Sequence, residues 1–188
     1  MTTAPDLSMF SKEEIKDVLS EIRHDFSLAV IGADNYFNSA AIIRSAHQFL
    51  AREIILVDCP KIYGKATMGS LKWENISHVS LEQFIAGNLP HRNLVICERR
   101  PELPSENLIY FKFPENPILC FGSEKTGVPE QLILAAREAR KNNNPNTGSV
   151  VSIPQFGLQN DFNLACAAGV VMYDWIAKKY ALKGGGQT

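Results

Sequence analysis

Short apolar runs alternate with segments of helical periodicity along almost the whole chain, and that alternation constrains the fold more than any other feature. The runs are Phe26 to Ile31, Glu53 to Val57, Ile76 to Val79, Asn93 to Cys97, Ile118 to Phe121 and Ser149 to Ile153. Between them, Ile15, Val18, Leu19 and Ile22 recur at helical spacing behind a Ser11/Glu14 capping box. NSAAIIRSAHQFL follows Asn38, which can cap it, and Ser80 with Gln83 opens a segment ending at Gly87. Pro129 sits at the first turn of a helix carrying Leu132, Ile133, Ala136 and Ala139, and a long apolar segment starts near Asn163. Strands that alternate with helices build a mostly parallel α/β sheet flanked by helices.

The 188 residues, 45% of them hydrophobic, suit one domain. We expect an N-terminal extension with a short helix over residues 1–25, loose over its first ten residues. The domain proper should span 26–182, before a flexible tail at 183–188 ending in GGGQT. Residues 58–75, with two glycines and three lysines, read as a surface excursion. Arg99, Arg100 and prolines 101, 104 and 114 mark a linker crossing the top of the domain, with an edge strand at Leu108 to Phe111. Twenty acidic residues against nineteen basic ones give a net charge of −1, so nucleic-acid binding would need local clustering or a dimer. Cys59, Cys97, Cys120 and Cys166 form no CxxC pair and read as reduced core residues. Histidines 24, 47, 78 and 91 lack metal-ligand spacing, so no metal is expected. The N-terminus has no leader character, and no apolar run approaches the roughly 20 residues that span a bilayer, so a soluble cytoplasmic protein with no membrane partner is expected.

Three strand-to-helix loops should open on one edge of the sheet, where open α/β sheets bind ligands. The first leads to Asn38 and, two turns into the helix, Arg44, whose apolar neighbours leave two uses open: snorkelling along its stem or pairing with an anion. The second, Gly122 to Gly127, carries Glu124, either a helix cap or a catalytic carboxylate. The third runs from Pro154 past Gly157, Gln159, Asn160 and Asp161 to Asn163, where N-capping and ligand contact both remain. Gly157 permits a tight turn, and the amides suit a polar cofactor better than a bare phosphate. Neither a GK[ST] ending nor GxGxxG is present, which removes most of the weight from triphosphate and dinucleotide readings.

Taken together, NSAAIIRSA (38–46), LCFGSEKTGV (119–128) and Ile153 to Ala168 resemble the motifs of the SpoU (TrmH-type) RNA 2′-O-ribose methyltransferases of the SPOUT superfamily, and TMGSLKW (67–73) is also similar to family sequence. The match runs from about residue 26 to 177. The resemblance implies a C-terminal trefoil knot holding S-adenosyl-L-methionine (AdoMet), and a homodimer in which one subunit completes the other's site. Its cofactor contacts carry over to Gly122, Ile153 and Phe162, with Leu119, Phe121, Ser123, Gly127 and Gly157 as neighbouring motif positions. Catalysis would fall to Arg44, Asn38, Glu124 and Asn163, and RNA contact to Arg44, Lys125 and Asp161.

Arg44 would bind the phosphate beside the reacting ribose of a tRNA or rRNA and stabilise alkoxide charge. Glu124 would hold Arg44 or a neighbouring amide, while Asn38 and Asn163 orient the ribose or the cofactor loop. Lys61, Lys65, Lys72, Arg99, Arg100 and the Arg137–Lys141 cluster are further candidate RNA contacts. The chain departs from the family pattern at Lys125, where a left-handed backbone would cost about 1–2 kcal/mol. It departs again at Asp161–Phe162, where a carboxylate would repel phosphate, at Leu50, where a glycine often closes the helix, and in a lengthened segment 139–149. The alternative is a dimer of this kind that binds RNA or cofactor without catalysis.

Overall fold

A computed structural model describes residues 10–60, 62, 64–89, 91–142, 144–158 and 161–184. The expected looseness of residues 1–9, Lys61, the loop amides Gln159 and Asn160 and the end of the tail (185–188) lie outside these. Helix α1 (Lys12–Ile22) leads to β1 (Ser27–Ile31), α2 (Tyr36–Gln48) and β2 (Ile54–Val57). Two short 3-10 turns then precede β3 (Ile76–Val79), α3 (Leu81–Asn88) and β4 (Asn93–Cys97). The two-residue β5 (Glu106–Asn107), β6 (Pro117–Phe121), α4 (Glu130–Asn142), β7 (Ser149–Ser152) and α5 (Leu164–Gly184) complete the chain. The seven strands form one sheet in the order β3-β2-β1-β6-β4-β7-β5, with every pairing parallel.

Parallel strands covered on both faces read as continuous apolar runs. Every residue of β1, β2 and β6 is buried, whereas β3 and β5 at the edges are partly or fully exposed. Alternate side chains feed two cores. Leu28 and Val30 pack with Ile42, Ile43, Val171 and Trp175 of α2 and α5, and Ala29 and Ile31 pack with Phe84, Leu132 and Ile133 of α3 and α4.

The capping boxes at Ser11/Glu14 and Ser80/Gln83 are present. Asn38 does not cap α2: the helix starts earlier, with the Asn35 side chain accepting from the Phe37 N–H at 3.0 Å. At the other end, the Leu50 N–H donates to His47 and the Ala51 N–H to Ala46, a Schellman closure with Leu50 in the left-handed region at φ 49°. The strain foreseen at Lys125 is therefore found at Leu50, since Lys125 is not among the residues of positive φ. The edge strand is β5, two residues ahead of the expected Leu108–Phe111, because Leu108, Phe111 and neighbouring Phe113 turn inward onto the α2/α5 core. Helix α5 continues to Gly184, into the expected tail.

The linker crossing the domain is a strap. Cys97 of β4 and Glu106 of β5 are both in register with Val151, on opposite sides of β7. Between them Leu103 packs into the α3/α4 core, whereas Leu108 and Phe111, on the return to β6, pack into the α2/α5 core. Residues 98–116 thus pass one face of β7 and come back across the other, closed by the β4–β6 pairing. This course is consistent with the expected knot.

Candidate active site

All three strand-to-helix loops meet at one edge of the sheet, joined by side-chain bonds. Asn163 Nδ2 donates to Asn38 Oδ1 at 3.0 Å and to Glu124 Oε1 at 2.9 Å. Asn163 Oδ1 meanwhile caps α5, accepting from the Ala165 and Cys166 N–H groups at 3.0 and 3.3 Å. Glu124 Oε1 also accepts from the Leu164 N–H at 3.3 Å, which sets a carboxylate at the positive end of α5. Glu124 is therefore a cap, but of α5 and not of the helix that follows its own loop. Asn38 is buried, and its Nδ2 has no hydrogen-bond partner among the described residues. A buried unmade hydrogen bond costs about 1–3 kcal/mol.

Beside this triangle lies a cleft of about 310 Å³, at the lower end of small-molecule sites, lined by residues 97–100, 121–127, 151–153, Gln155, Asp161, Phe162, Leu164 and Ala167. Of the predicted cofactor positions, Phe121, Gly122, Ser123, Gly127, Ile153 and Phe162 line it. Leu119 is fully buried within β6 and supports the floor from below. Gly157 is not in the wall, has open space around it and no positive φ, so nothing in its conformation demands glycine.

Gly122 and Gly127 are needed for geometry. A Cβ on Gly122 would fall 1.9 Å from the Gly127 carbonyl carbon, and Gly127 has φ +66° with Glu98 Oε2 2.3 Å from where a Cβ would stand. The loop is closed by Gly127 N–H donating to Ser123 O at 2.8 Å, and by the Ser123 and Thr126 hydroxyls 2.7 Å apart.

Glu98 and Arg100 lock this loop from the strap, a role absent from the sequence reading. Glu98 Oε2 accepts from the Val128 N–H at 2.7 Å, and Arg100 Nη2 donates to the Thr126 carbonyl at 3.2 Å, to the Val128 carbonyl and to Glu98 at 3.3 Å. Arg100 is thus committed to the cleft wall, which corrects its assignment to an RNA-facing surface. The only signal for it in the sequence is a charged pair, Glu98 and Arg100, directly after a buried strand.

Lys125 and Asp161 are exposed at the cleft. Lys125 Nζ pairs with Asp34 at 2.5 Å, and this hydrogen bond and charge hold Asp34 below its ordinary carboxylate value and Lys125 above the ordinary lysine one. Cys97, in the cleft wall, is half-buried, and desolvation pushes its thiol well above the ordinary value.

Arg44 stands apart. Six residues beyond Asn38, it is about 9 Å further along α2 and exposed. It lines a second cleft with His47, Thr67, Met68, Gly69, Ser70, Lys72 and Trp73. Arg44 enters no ion pair among the described residues, and Lys72 Nζ lies 4.5 Å from the Trp73 ring centroid. Both snorkelling and anion binding need such exposure, and the missing carboxylate partner favours the second. Beneath this cleft the buried Glu74 carboxylate receives Arg23 at 2.8 Å and His47 Nδ1 at 2.7 Å, while Arg23 Nη2 also donates to the Trp73 carbonyl at 2.6 Å. This network pins the 58–75 excursion against α2. Among the described residues no cluster of three or more His, Cys, Asp or Glu is placed to hold a metal, and no helix is long and apolar enough to cross a membrane.

An all-parallel α/β sheet with a strap-threaded C-terminal unit and three loops tied at one edge defines the class. The SpoU rRNA methylase family model matches residues 25–173, so the chain belongs to that family. The fold resembles that of an AdoMet-bound rRNA methyltransferase from Sinorhizobium meliloti (26% identity, TM-score 0.70, covering 86% of this chain and 60% of that one). It also resembles a TrmH/SpoU tRNA modifying enzyme of A. aeolicus (18%, 0.72, 92% and 84%). A third likeness is to the AdoMet complex of the SpoU methyltransferase AviRb from Streptomyces viridochromogenes (22%, 0.63, 85% and 63%). The chain thus spans about 60% of the length of the Sinorhizobium protein. No curated protein matches it significantly.

Proposed function

We propose that the chain is an AdoMet-dependent RNA methyltransferase that modifies a ribose 2′-hydroxyl of a tRNA or rRNA, working in the cytoplasm as a homodimer. The observation that carries this reading is the Asn38–Asn163–Glu124 triangle at the rim of a cleft walled by peptide groups and apolar side chains. The cleft fits the cofactor chemically: Ile153 and Phe162 offer apolar surface to a nucleoside, and the buried Gln155 Oε1, without a hydrogen-bond partner among the described residues, can accept from an exocyclic amine. AdoMet supplies a methyl group on a sulfonium, and the threaded strap, knotted in this reading, keeps the pocket rigid.

What remains for the side chains is positioning and charge. Asn38 Nδ2 donates to a ribose or phosphate oxygen, and Asn163 and Glu124 fix that amide. Arg44 neutralises the adjacent phosphate and the alkoxide that develops as the hydroxyl loses its proton to water. Because Arg44 opens into a separate cleft, it serves the site of a second copy. Tyr36, Phe37 and Phe162, exposed and next to the bonded asparagines, give that copy an apolar surface to cover.

Tritium from methyl-labelled AdoMet should enter total RNA and survive as alkali-resistant dinucleotides. A base-methylated product, or no incorporation, contradicts the reading. A mixture of Arg44→Ala and Asn163→Ala proteins should regain about a quarter of the activity if one subunit completes the other, and none if each site works alone. Binding without catalysis is the second reading. Asp161 exposed at the cleft and the neutralising Asp34–Lys125 pair favour it, and the same labelling separates the two.

A further inference from the structure

Arginines elsewhere in the fold are mostly committed: Arg23, Arg52, Arg92 and Arg100 each hold a carboxylate. The last turns of α4 differ. Arg137, Arg140 and Lys141 are exposed, enter no ion pair among the described residues, and converge on a cleft of about 460 Å³ whose opposite wall is Ser105 and Glu106 of the strap. A basic helix end is ordinary, since cations there complement the helix dipole. A concave wall facing that end, with one carboxylate against three cations, is more than the dipole requires. From Arg137 to Lys141 the charges extend over about 6 Å of helix axis, a spread that suits successive phosphates better than one small anion.

The strap connects this cleft to the cofactor cleft. Residues 98–100 line one and 104–106 the other, so the two lie within about 20 Å along the chain. Adjacent residues of β7 serve both, Val150 here and Val151 there.

We propose that the α4–strap cleft binds the phosphate backbone of the RNA whose ribose enters the catalytic cleft, anchoring it at a distance from the reacting nucleotide. This rests on the proposed methyl transfer for the identity of the polyanion. The test is filter binding of bulk transfer RNA between 50 and 200 mM salt, comparing wild type with the triple variant Arg137→Ser, Arg140→Ser, Lys141→Ser. A control removes three other exposed cations, Lys12→Ser, Lys16→Ser and Lys112→Ser.

The α4 variant should lose about 2–3 from the slope of log affinity against log salt, and about tenfold or more in affinity near 0.1 M salt. AdoMet affinity and thermal midpoint should stay at wild-type values, and the control should bind as wild type does. An unchanged slope overturns the proposal, as does equal weakening of the control, which would make the effect one of net charge. If wild type transfers methyl groups and the slope is unchanged, the anchor fails and the methyltransferase reading stands. If wild type binds RNA through α4 but transfers no methyl group, that reading fails and the anchor stands.

Discussion

The cleft beside Asn163 and the cleft that Arg44 lines are built on opposite principles. The cofactor cleft is tied shut within one chain: Gly122 and Gly127 allow backbone to touch backbone, Glu98 and Arg100 bond that loop from the strap, and Asn163 joins all three loops. The Arg44 cleft is bonded underneath, where Glu74 holds Arg23 and His47, and its upper surface keeps Arg44 and Lys72 without carboxylate partners among the described residues. The first is preorganised, as the proposed binding of a defined small molecule requires. The second leaves its cations unspent, as the proposed contact with a large anion requires.

Breaking the floor of the Arg44 cleft should have the largest effect. Glu74→Ala strands a buried guanidinium and should cost about 3–5 kcal/mol in urea unfolding. If stability hardly changes, the 58–75 excursion is held by something else. Arg100→Ala should act on the other cleft, raising KM for AdoMet about tenfold, equivalent to about 1.4 kcal/mol, while kcat changes much less. A fall in kcat alone would mean that Arg100 does more than hold the loop. Least in size, Leu50→Gly relieves a left-handed leucine and should raise stability by about 0.5 kcal/mol, the gain being reduced by the freer unfolded chain. Destabilisation would show that the Leu50 side chain packs better than its partial exposure implies.

The sheet was legible because buried parallel strands are written as unbroken apolar runs, and β4 falls on the expected residues. The meeting of the three loops was legible where motif and loop coincide, at Asn38, Glu124 and Asn163. What could not be read depends on pairs distant in sequence. Arg23 and Glu74 are 51 residues apart, and Glu98 and Val128 are 30 apart. No period of 2 or 3.6 connects such positions. Asn35, not Asn38, caps α2 because only the folded chain shows Asn38 drawn inward by Asn163. The strap, too, is invisible locally, since proline-rich linkers look alike whether they cross a strand or hang in solvent.

In the proposed function, cofactor binding belongs to one cleft and methyl transfer needs Arg44 from the other. Calorimetric titration of AdoMet into Arg44→Ala, with transfer of labelled methyl to RNA measured on the same sample, tests this most directly. The prediction is a Kd within about twofold of wild type and a transfer rate reduced by about 10²–10³ or more. Undiminished transfer, or loss of AdoMet binding together with it, would contradict the claim.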